Sequence, residues 1–362
     1  MTVTLKKEAN GKKTTPARLL ELAKDPDPSV QLAVAKNVNT PKLALEYLGR
    51  HGKWTILKAV ALNPKVSAAI LEQLAKHKQA TVAEAVAQSS VISVGLLEQL
   101  ARHPEPRVRR AVIKNQKCTA DLHVLLGADP DPLVRRDVAC SMDCPAAVLE
   151  KLALDLSYGT RMMVGWNITT PLHTKRALLK DPEGLVRSAV IPGLADAEEF
   201  SLLQTLVQDP DPEVRLELAR IETWQAKIHG LLLHDPDITV REALAENPEL
   251  PKKALLHLIK DSNSEVRLAV AKREKLDKTM LELLCQDPDP EVRRSLAYAR
   301  VVDLPKWVLE RLAKDSDSHV RWQVAYNGST PIATLHQLRL DPEKEVSQKA
   351  IETLRDWHGV TV

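Results

Sequence analysis

Asp287–Arg300 reads DPDPEVRRSLAYAR, and close copies stand at Asp25–Asn37 (DPDPSVQLAVAKN), Asp129–Ser141 (DPDPLVRRDVACS) and Asp209–Ile221 (DPDPEVRLELARI). Proline cannot continue a helix and pushes the residue before it out of helical geometry. Each DPDP therefore stops one helix. The V-R-x-x-V-A-type pattern that follows, apolar at i, i+3 and i+4, begins the next.

Counting outward from the first Asp of the phrase, the same position falls at Asp25, His51, His77, His103, Asp129, Asp155 and Asp181, in steps of 26 residues. Two extra residues precede Asp209, the step of 26 resumes at Asp235, Asp261 and Asp287, and two more precede Asp315 before Asp341. About thirteen repeats therefore fill the chain from Thr15 onward. Each opens on Thr-Pro or similar (Thr40-Pro41, Thr170-Pro171, Thr330-Pro331), read as an N-cap with Pro at the first helical position. An apolar helix A follows, as in LLELAK and LLEQLAR, then the turn, then helix B. Asn recurs at the end of helix B (Asn37, Asn63, Asn115, Asn167, Asn247, Asn327), where a residue tolerating left-handed backbone is expected. Two short helices per repeat, stacked in series, predict an all-α fold: a right-handed α-solenoid of about thirteen two-helix units. The expected organisation is a basic, flexible N-terminal tail over residues 1–14 and one solenoid domain over 15–362.

Composition agrees. Hydrophobic residues make up 44% of the 362 but aromatics only 3%, so the core must be Leu, Val and Ala, which suits close helix packing better than sheets. No apolar run approaches the ~18 residues of a membrane helix. MTVTLKKEANGKK has charge but no apolar stretch of a secretory signal, and four Cys are too few for a disulfide scaffold, so a cytoplasmic location without membrane contact is expected. Charge is segregated: residues 1–125 carry 20 basic against 10 acidic side chains and the remainder 31 against 38, a pattern that can mark an anionic partner at one end.

Arg stands six residues after the leading position in nine repeats: Arg109, Arg135, Arg161, Arg187, Arg215, Arg241, Arg267, Arg293 and Arg321. Where that position is His51 or His77, Leu57 and Ala83 replace the Arg; Gln31 and Ser347 replace it at the two ends; and His103 with Arg109 breaks the correlation. The joint loss points to paired groups. We expect a structural ladder in which Asp129, Asp181, Asp209, Asp235, Asp261, Asp287 and Asp315 bond an Arg of their own or the next repeat, satisfying turn donors and fixing register.

The consensus TPxxLLExLAxDPDPEVRxxVAxN resembles the leucine-rich repeat variant and, more broadly, HEAT-like repeats, over nearly the whole chain. The resemblance implies an α-solenoid, with one helix of each unit open to being 3₁₀, and implies a binding scaffold rather than a reaction. The iron–sulfur cysteine cluster of the variant's founding members does not carry over, since no Cys precedes Cys118. Deoxyhypusine hydroxylases, also HEAT-like, use His-Glu dipeptides for iron, and no His-Glu pair occurs here. Nothing specific to phycobilin lyases or alkylpurine DNA glycosylases is found.

No catalytic, cofactor or metal residue is expected. Cys118 and Cys144 occupy equivalent positions in adjacent repeats and Cys140 is close in sequence to Cys144, but no CxxC is present; they read as small buried residues. His51, His77 and His103, one per repeat, are too far apart to share a metal and read as helix caps or part of a basic surface. No Gly-rich phosphate loop, GxSxG or HExxH occurs.

What remains is a surface. The seventh and eleventh residues after the leading position lie an i,i+4 step apart on helix B, hence on one stripe. Along it come Lys58, Arg110 with Lys114, Arg136 with Cys140, Met162 with Trp166, Arg294 with Tyr298 and Trp322 with Tyr326. The sixth repeat, DLSYGTRMMVGWNIT, has lost DPDP and gained Tyr158, Met162, Met163 and Trp166. The expected binding site is therefore Arg110, Lys114, Arg136, Tyr158, Met162 and Trp166. Two functions compete: a non-enzymatic scaffold holding a protein or peptide partner in its groove, and a nucleic-acid binder using the basic first third, related to the alkylpurine glycosylases. The first is favoured, because the basic excess is confined to one end and the overall pI is only about 8.5.

Overall fold

The computed structural model of the protein describes residues 2–223, 225–298 and 304–358. Where each DPDP or its equivalent stands, a short helix ends and a second begins, giving HEAT-like two-helix repeats throughout. The A helices are mostly two turns long, as in Val94–Leu100, Ala120–Leu126 and Lys252–Leu258, and are α-helical. The B helices run eight or nine residues in most repeats, as in Pro106–Ile113, Pro132–Cys140 and Ser264–Ala271. Such lengths are marginal for isolated helices, so tertiary packing must hold them.

That packing is regular. The fifth residue after the leading position is a fully buried β-branched side chain: Val30, Ile56, Val82, Val108 and Val134 in the first repeats, Val214, Val240, Val266, Val292 and Val320 in later ones. Alanines at the B-helix positions three and five residues further on (Ala33, Ala59, Ala85 and Ala35, Ala61, Ala87) are also buried, and let successive B helices approach closely. In the sixth repeat Gly165 does this: a Cβ there would lie 3.0 Å from Ala189 Cβ.

The chain forms two compact bodies, Met1–Gly193 and Leu194–Val362, where one domain was expected; its last residues, 359–362, lie outside the described ones. In the second body the A position of its first repeat is irregular: Phe200–Leu203 and a 3₁₀ turn, Gln204–Gln208, replace the usual helix, and Glu198 takes a left-handed φ of 58°. Each body ends the stack differently. In the first, the residues expected to be a flexible tail form helix Thr2–Ala9, with Ala9 buried and Asn37 Nδ2 donating to Ala9 O at 2.8 Å. This segment stands where a preceding B helix would, covering the first repeat. In the second, the fifteen-residue helix Lys344–His358 buries Val346, Ala350 and Leu354. Its Trp357 ring crosses Gly328 so closely that a Cβ there would fall 2.6 Å from Cε3.

The two Asp of DPDP have separate tasks. The second N-caps helix B: Asp131 Oδ1 accepts from Leu133 N at 2.8 Å and Asp289 Oδ1 from Glu291 N at 2.9 Å, with Pro in the first turn. The first closes the turn and binds the Arg of the preceding repeat, not of its own or the next one as expected, because an Arg six residues past its own leading Asp reaches forward to the next repeat's turn. Asp155 Oδ1 accepts from Ser157 N at 2.8 Å, while Arg135 of the repeat before donates Nε to Asp155 Oδ2 at 2.6 Å and Nη2 to Oδ1 at 3.0 Å. The same Arg135 donates Nη1 to Asp129 O, the leading residue of its own repeat, at 2.7 Å. Arg161–Asp181, Arg215–Asp235, Arg241–Asp261, Arg267–Asp287, Arg293–Asp315 and Arg321–Asp341 repeat this geometry at 2.6 to 2.7 Å. Arg187 Nη1 likewise donates to Asp181 O at 2.7 Å.

A second ladder runs along the far ends of the B helices. Asn63 Nδ2 donates to Ala35 O at 2.8 Å and Asn37 O at 3.0 Å, both in the preceding repeat, and Asn167 does the same to Ala139 O and Ser141 O. The left-handed backbone expected at these Asn is not used: Asn37, Asn63 and Asn167 have φ of −74°, −72° and −69°. Asn is there for its side-chain donors, and Arg273 replaces it in one repeat, donating Nη1 to Ala245 O and Asn247 O at 2.7 Å. The Thr-Pro opener differs too. Pro41, not Thr40, occupies the N-cap, and buried Thr40 Oγ1 donates instead to Val34 O at 2.6 Å, as Thr170 does to Val164 O and Thr330 to Val324 O.

Candidate partner-binding surface

The third, seventh and eleventh positions after the leading residue lie on one stripe of helix B at i, i+4 and i+8, with the third and eleventh mostly exposed and the seventh mostly half buried. In the first body the sixth repeat shows it most fully. Tyr158, Met162 and Trp166 lie along Tyr158–Trp166, the two aromatics each half exposed at 50%. The second repeat repeats the theme with Trp54, Lys58 and Leu62: Lys58 Nζ lies 5.9 Å from the Trp54 ring centre, and Trp54 and Leu62 are both exposed. In the second body Trp322 and Tyr326 stack at 5.4 Å with rings 11° apart, and Lys349 Nζ stands 5.6 and 5.5 Å from their centres. Tyr298 occupies the same position one repeat earlier and is exposed.

The basic members of the expected site are placed differently from one another. Arg110 is half buried and donates Nε to Asp137 Oδ2 at 2.7 Å; that carboxylate also draws Lys114 Nζ to 3.7 Å. Hydrogen bonding to Asp137 outweighs partial burial and raises the Arg110 pKa above its usual range. Arg110 is therefore a structural partner of the next repeat more than a free cation, while Lys114 keeps an exposed ammonium. Arg136 is half buried on the neighbouring helix. Asp137 stands in the column of small residues, and an acid among alanines was the signal in the sequence that marked it. The stripe legible in the sequence ran through the seventh and eleventh positions, and so left out Trp54 at the third, where Tyr158 stands in the sixth repeat.

The histidines and cysteines have local roles. His77 Nδ1 accepts from Gln79 N at 3.0 Å and His103 Nδ1 from Glu105 N at 3.1 Å, the turn-closing bond an Asp makes elsewhere; His51 packs its ring on Tyr47 at 4.9 Å. His123 is buried, Nδ1 2.9 Å from Thr119 O and Nε2 2.9 Å from Ser141 Oγ. Cys118 Sγ lies 3.8 Å from His123 Nδ1. Burial pushes the Cys118 and Cys144 thiols up, to about 11 and about 12, so both are protonated and poor nucleophiles or ligands at neutral pH. Among the described residues no group of three His, Cys, Asp or Glu could hold a metal ion, and no helix is long and apolar enough to cross a membrane.

No protein-family model and no curated protein sequence matches the chain. Among solved structures it is similar to a leucine-rich repeat variant "with a novel repetitive protein structural motif", at 24% identity and TM-score 0.45 over 70% of this chain and 88% of that one. Kap121p bound to Nup53p is matched at 12% identity and TM-score 0.42, over 96% of this chain and 45% of that one. The Pds5–Scc1 complex is matched at 16% identity and TM-score 0.30, over 94% and 60%.

Proposed function

We propose that this chain is a non-enzymatic scaffold that holds a protein or peptide partner against the exposed stripe of its B helices. One observation carries this reading. The chain has only eleven aromatic residues, and six of them (Trp54, Tyr158 and Trp166 in the first body, Tyr298, Trp322 and Tyr326 in the second) fall at stripe positions of their own B helices. Five of the six are 48–50% exposed. A protein this poor in aromatics has little reason to spend them on solvent, and buried Trp and Tyr anchors dominate the energetics of protein interfaces. In the first body the site is centred on Tyr158, Met162 and Trp166, with Lys114, Arg136 and Arg110 beside them as a polar rim.

The proposal is tested by selecting peptides from a displayed library on the whole protein and measuring their affinity for variants. Trp166→Ala or Tyr158→Ala should weaken first-body ligands about tenfold or more, the effect of losing ~1.4 kcal/mol or more at an anchor. Arg110→Ala/Arg136→Ala should mainly change the salt dependence. Selected peptides that bind wild type, Trp166→Ala and Trp322→Ala equally would place the site off the stripe.

A further inference from the structure

The turn edge changes character in repeats two to four. Elsewhere the leading position and the one two residues on carry at least one carboxylate in every repeat, such as Asp25 with Asp27 or Asp315 with Asp317. Repeats two and three have His51 with Lys53 and His77 with Gln79, no carboxylate at either place, and repeat four only Glu105. The exchange gives up structure: helices Trp54–Leu62 and Ala80–Ala87 start without a side-chain cap, and the leading His cannot receive the Arg of the ladder. Cations gather there instead. Arg50, Lys53, Lys76, Lys78 and Arg102 are all exposed, and among the described residues the first four make no ion pair. Arg102 donates Nη1 only to a backbone carbonyl, Glu98 O, at 2.9 Å. His77 and His103 keep the turn-closing bond, but the carboxylates that would hold the Arg ladder are gone from three consecutive leading positions, and a ligand is a physical reason to look for.

We propose that this edge binds single-stranded nucleic acid, its cations meeting successive phosphates and Trp54 offering a ring face to a base. Two features select this ligand. Five cations line three consecutive repeats, with Arg50, Lys76 and Arg102 at one equivalent position, along an edge whose only carboxylate at the two turn positions is Glu105, and so suit a chain that carries charge at regular intervals. Trp54, half exposed, directly follows Lys53 and is flanked by Lys58, so a ring lies among the cations as base stacking requires. An acidic polypeptide would use the cations but not the ring. This edge shares Trp54 with the B-helix stripe but lies apart from the sixth-repeat site at Tyr158 and Trp166, so Trp166→Ala tests that site and the cation variants test this one.

The test is fluorescence anisotropy of the whole protein with a labelled mixed-sequence single-stranded DNA. Five neutralised phosphates predict about a hundredfold loss of affinity between roughly 50 and 200 mM salt. Lys76→Glu/Lys78→Glu and Arg50→Glu/Lys53→Glu should each weaken binding more than tenfold and reduce the log–log salt slope by about 1.4. Trp54→Ala should cost about tenfold with the slope unchanged. Lys306→Glu/Lys314→Glu, an equal charge change on exposed lysines of the second body, should have little effect, as should Trp166→Ala. Thermal melts show that each variant is folded. No binding at low salt overturns the proposal, as does equal loss in the second-body control. Polyglutamate competing as well as unlabelled DNA, with Trp54→Ala silent, overturns it in favour of an acidic polypeptide.

Discussion

Arg109 reaches forward to Asp129, twenty residues on, rather than to the side chain that heads its own repeat. Its Nε donates to Asp129 Oδ2 at 2.6 Å and Nη2 to Oδ1 at 2.7 Å, while Nη1 donates to the carbonyls of His103 and Pro104. This direction accounts for the exceptions in the pattern. Repeat four keeps an Arg behind a leading His because its partner belongs to repeat five. Repeats one, two and three have Gln31, Leu57 and Ala83 because the next leading residues are His51, His77 and His103. Ser347 takes the place of Arg in the last repeat, its Oγ donating to Arg339 O at 2.6 Å. Gln31 still makes the bond within its own repeat, Nε2 to Asp25 O at 2.9 Å.

Breaking one rung should therefore leave a carboxylate buried without its partner. Arg267 and Asp287 side chains are 10% and 4% exposed, and Arg267→Ala should destabilise the second body by about 3 kcal/mol. Arg294→Ala, on the exposed stripe, should stay within about 0.5 kcal/mol. In a double-mutant cycle Arg267→Ala/Asp287→Ala should recover part of the loss, because both charges leave together. Denaturant unfolding gives all four values, and equal costs for Arg267→Ala and Arg294→Ala would contradict the rung's role.

The ladder also sets an acid limit. Burial pushes the carboxyls of Asp155, Asp181, Asp261, Asp315 and Asp341 up, but hydrogen bonds from Arg and backbone N–H and the nearby guanidinium charges outweigh it, and each ends below the usual range. A carboxyl whose folded pKa is depressed contributes stability that is present above its unfolded pKa of about 3.9 and is lost as pH falls through the folded value. The ladder's share of the melting temperature should thus be level from pH 7 to about 5 and fall steeply below about 4. Melting curves across this range check it. A ladder variant such as Arg241→Ala should show a shallower acid fall than wild type.

Much of this fold was legible because its determinants are local. Pro marks each stop, apolar spacing marks each helix, and the period follows by counting. The partner of each Arg was not, because an acid six residues before it and another twenty after fit the same composition; only the run of exceptions from Gln31 to Arg109 separates them. Charge misled at the N-terminus, where TVTLKKEA reads as a basic tail yet folds against the first repeat, Glu8 Oε1 accepting from Arg18 Nε at 2.9 Å. Local rules also lost to tertiary bonds at Thr40 and Asn37, whose side chains serve a neighbouring segment rather than their own helix end. Of the candidate site, the aromatics were readable by register, whereas the pairing of Arg110 with Asp137 needed the stacking of two repeats.

The Asn ladder predicts a substitution that is nearly isosteric and still costly. Asn63 is 3% exposed, and its amide donates to two carbonyls while Oδ1 accepts from Lys65 N at 3.0 Å. Asn63→Ala leaves two buried carbonyls without that donor and should cost about 2 kcal/mol. Asn63→Asp keeps the shape but turns an oxygen toward Ala35 O and Asn37 O, so it should cost more than Ala near neutral pH and recover as acid protonates the new carboxyl. Unfolding free energies of the two variants at two pH values check the order. A milder effect for Asp than for Ala at pH 7 would show that the carbonyls do not need the amide.

The sixth repeat offers a prediction of opposite sign. Thr160 stands in the column that is Val134 one repeat before and Val186 one repeat after, all with no exposed surface. Its Oγ1 is buried and has no hydrogen-bond partner among the described residues. A hydroxyl taken from water without a partner costs roughly 1–3 kcal/mol, and Val has the same branched shape. Thr160→Val should therefore raise stability by about 1 kcal/mol, visible as a higher melting temperature, while leaving Tyr158 and Trp166 on the surface where they are. If the change is neutral or destabilising, the hydroxyl is used, and the sixth repeat holds a polar contact inside its core as well as its aromatic stripe outside.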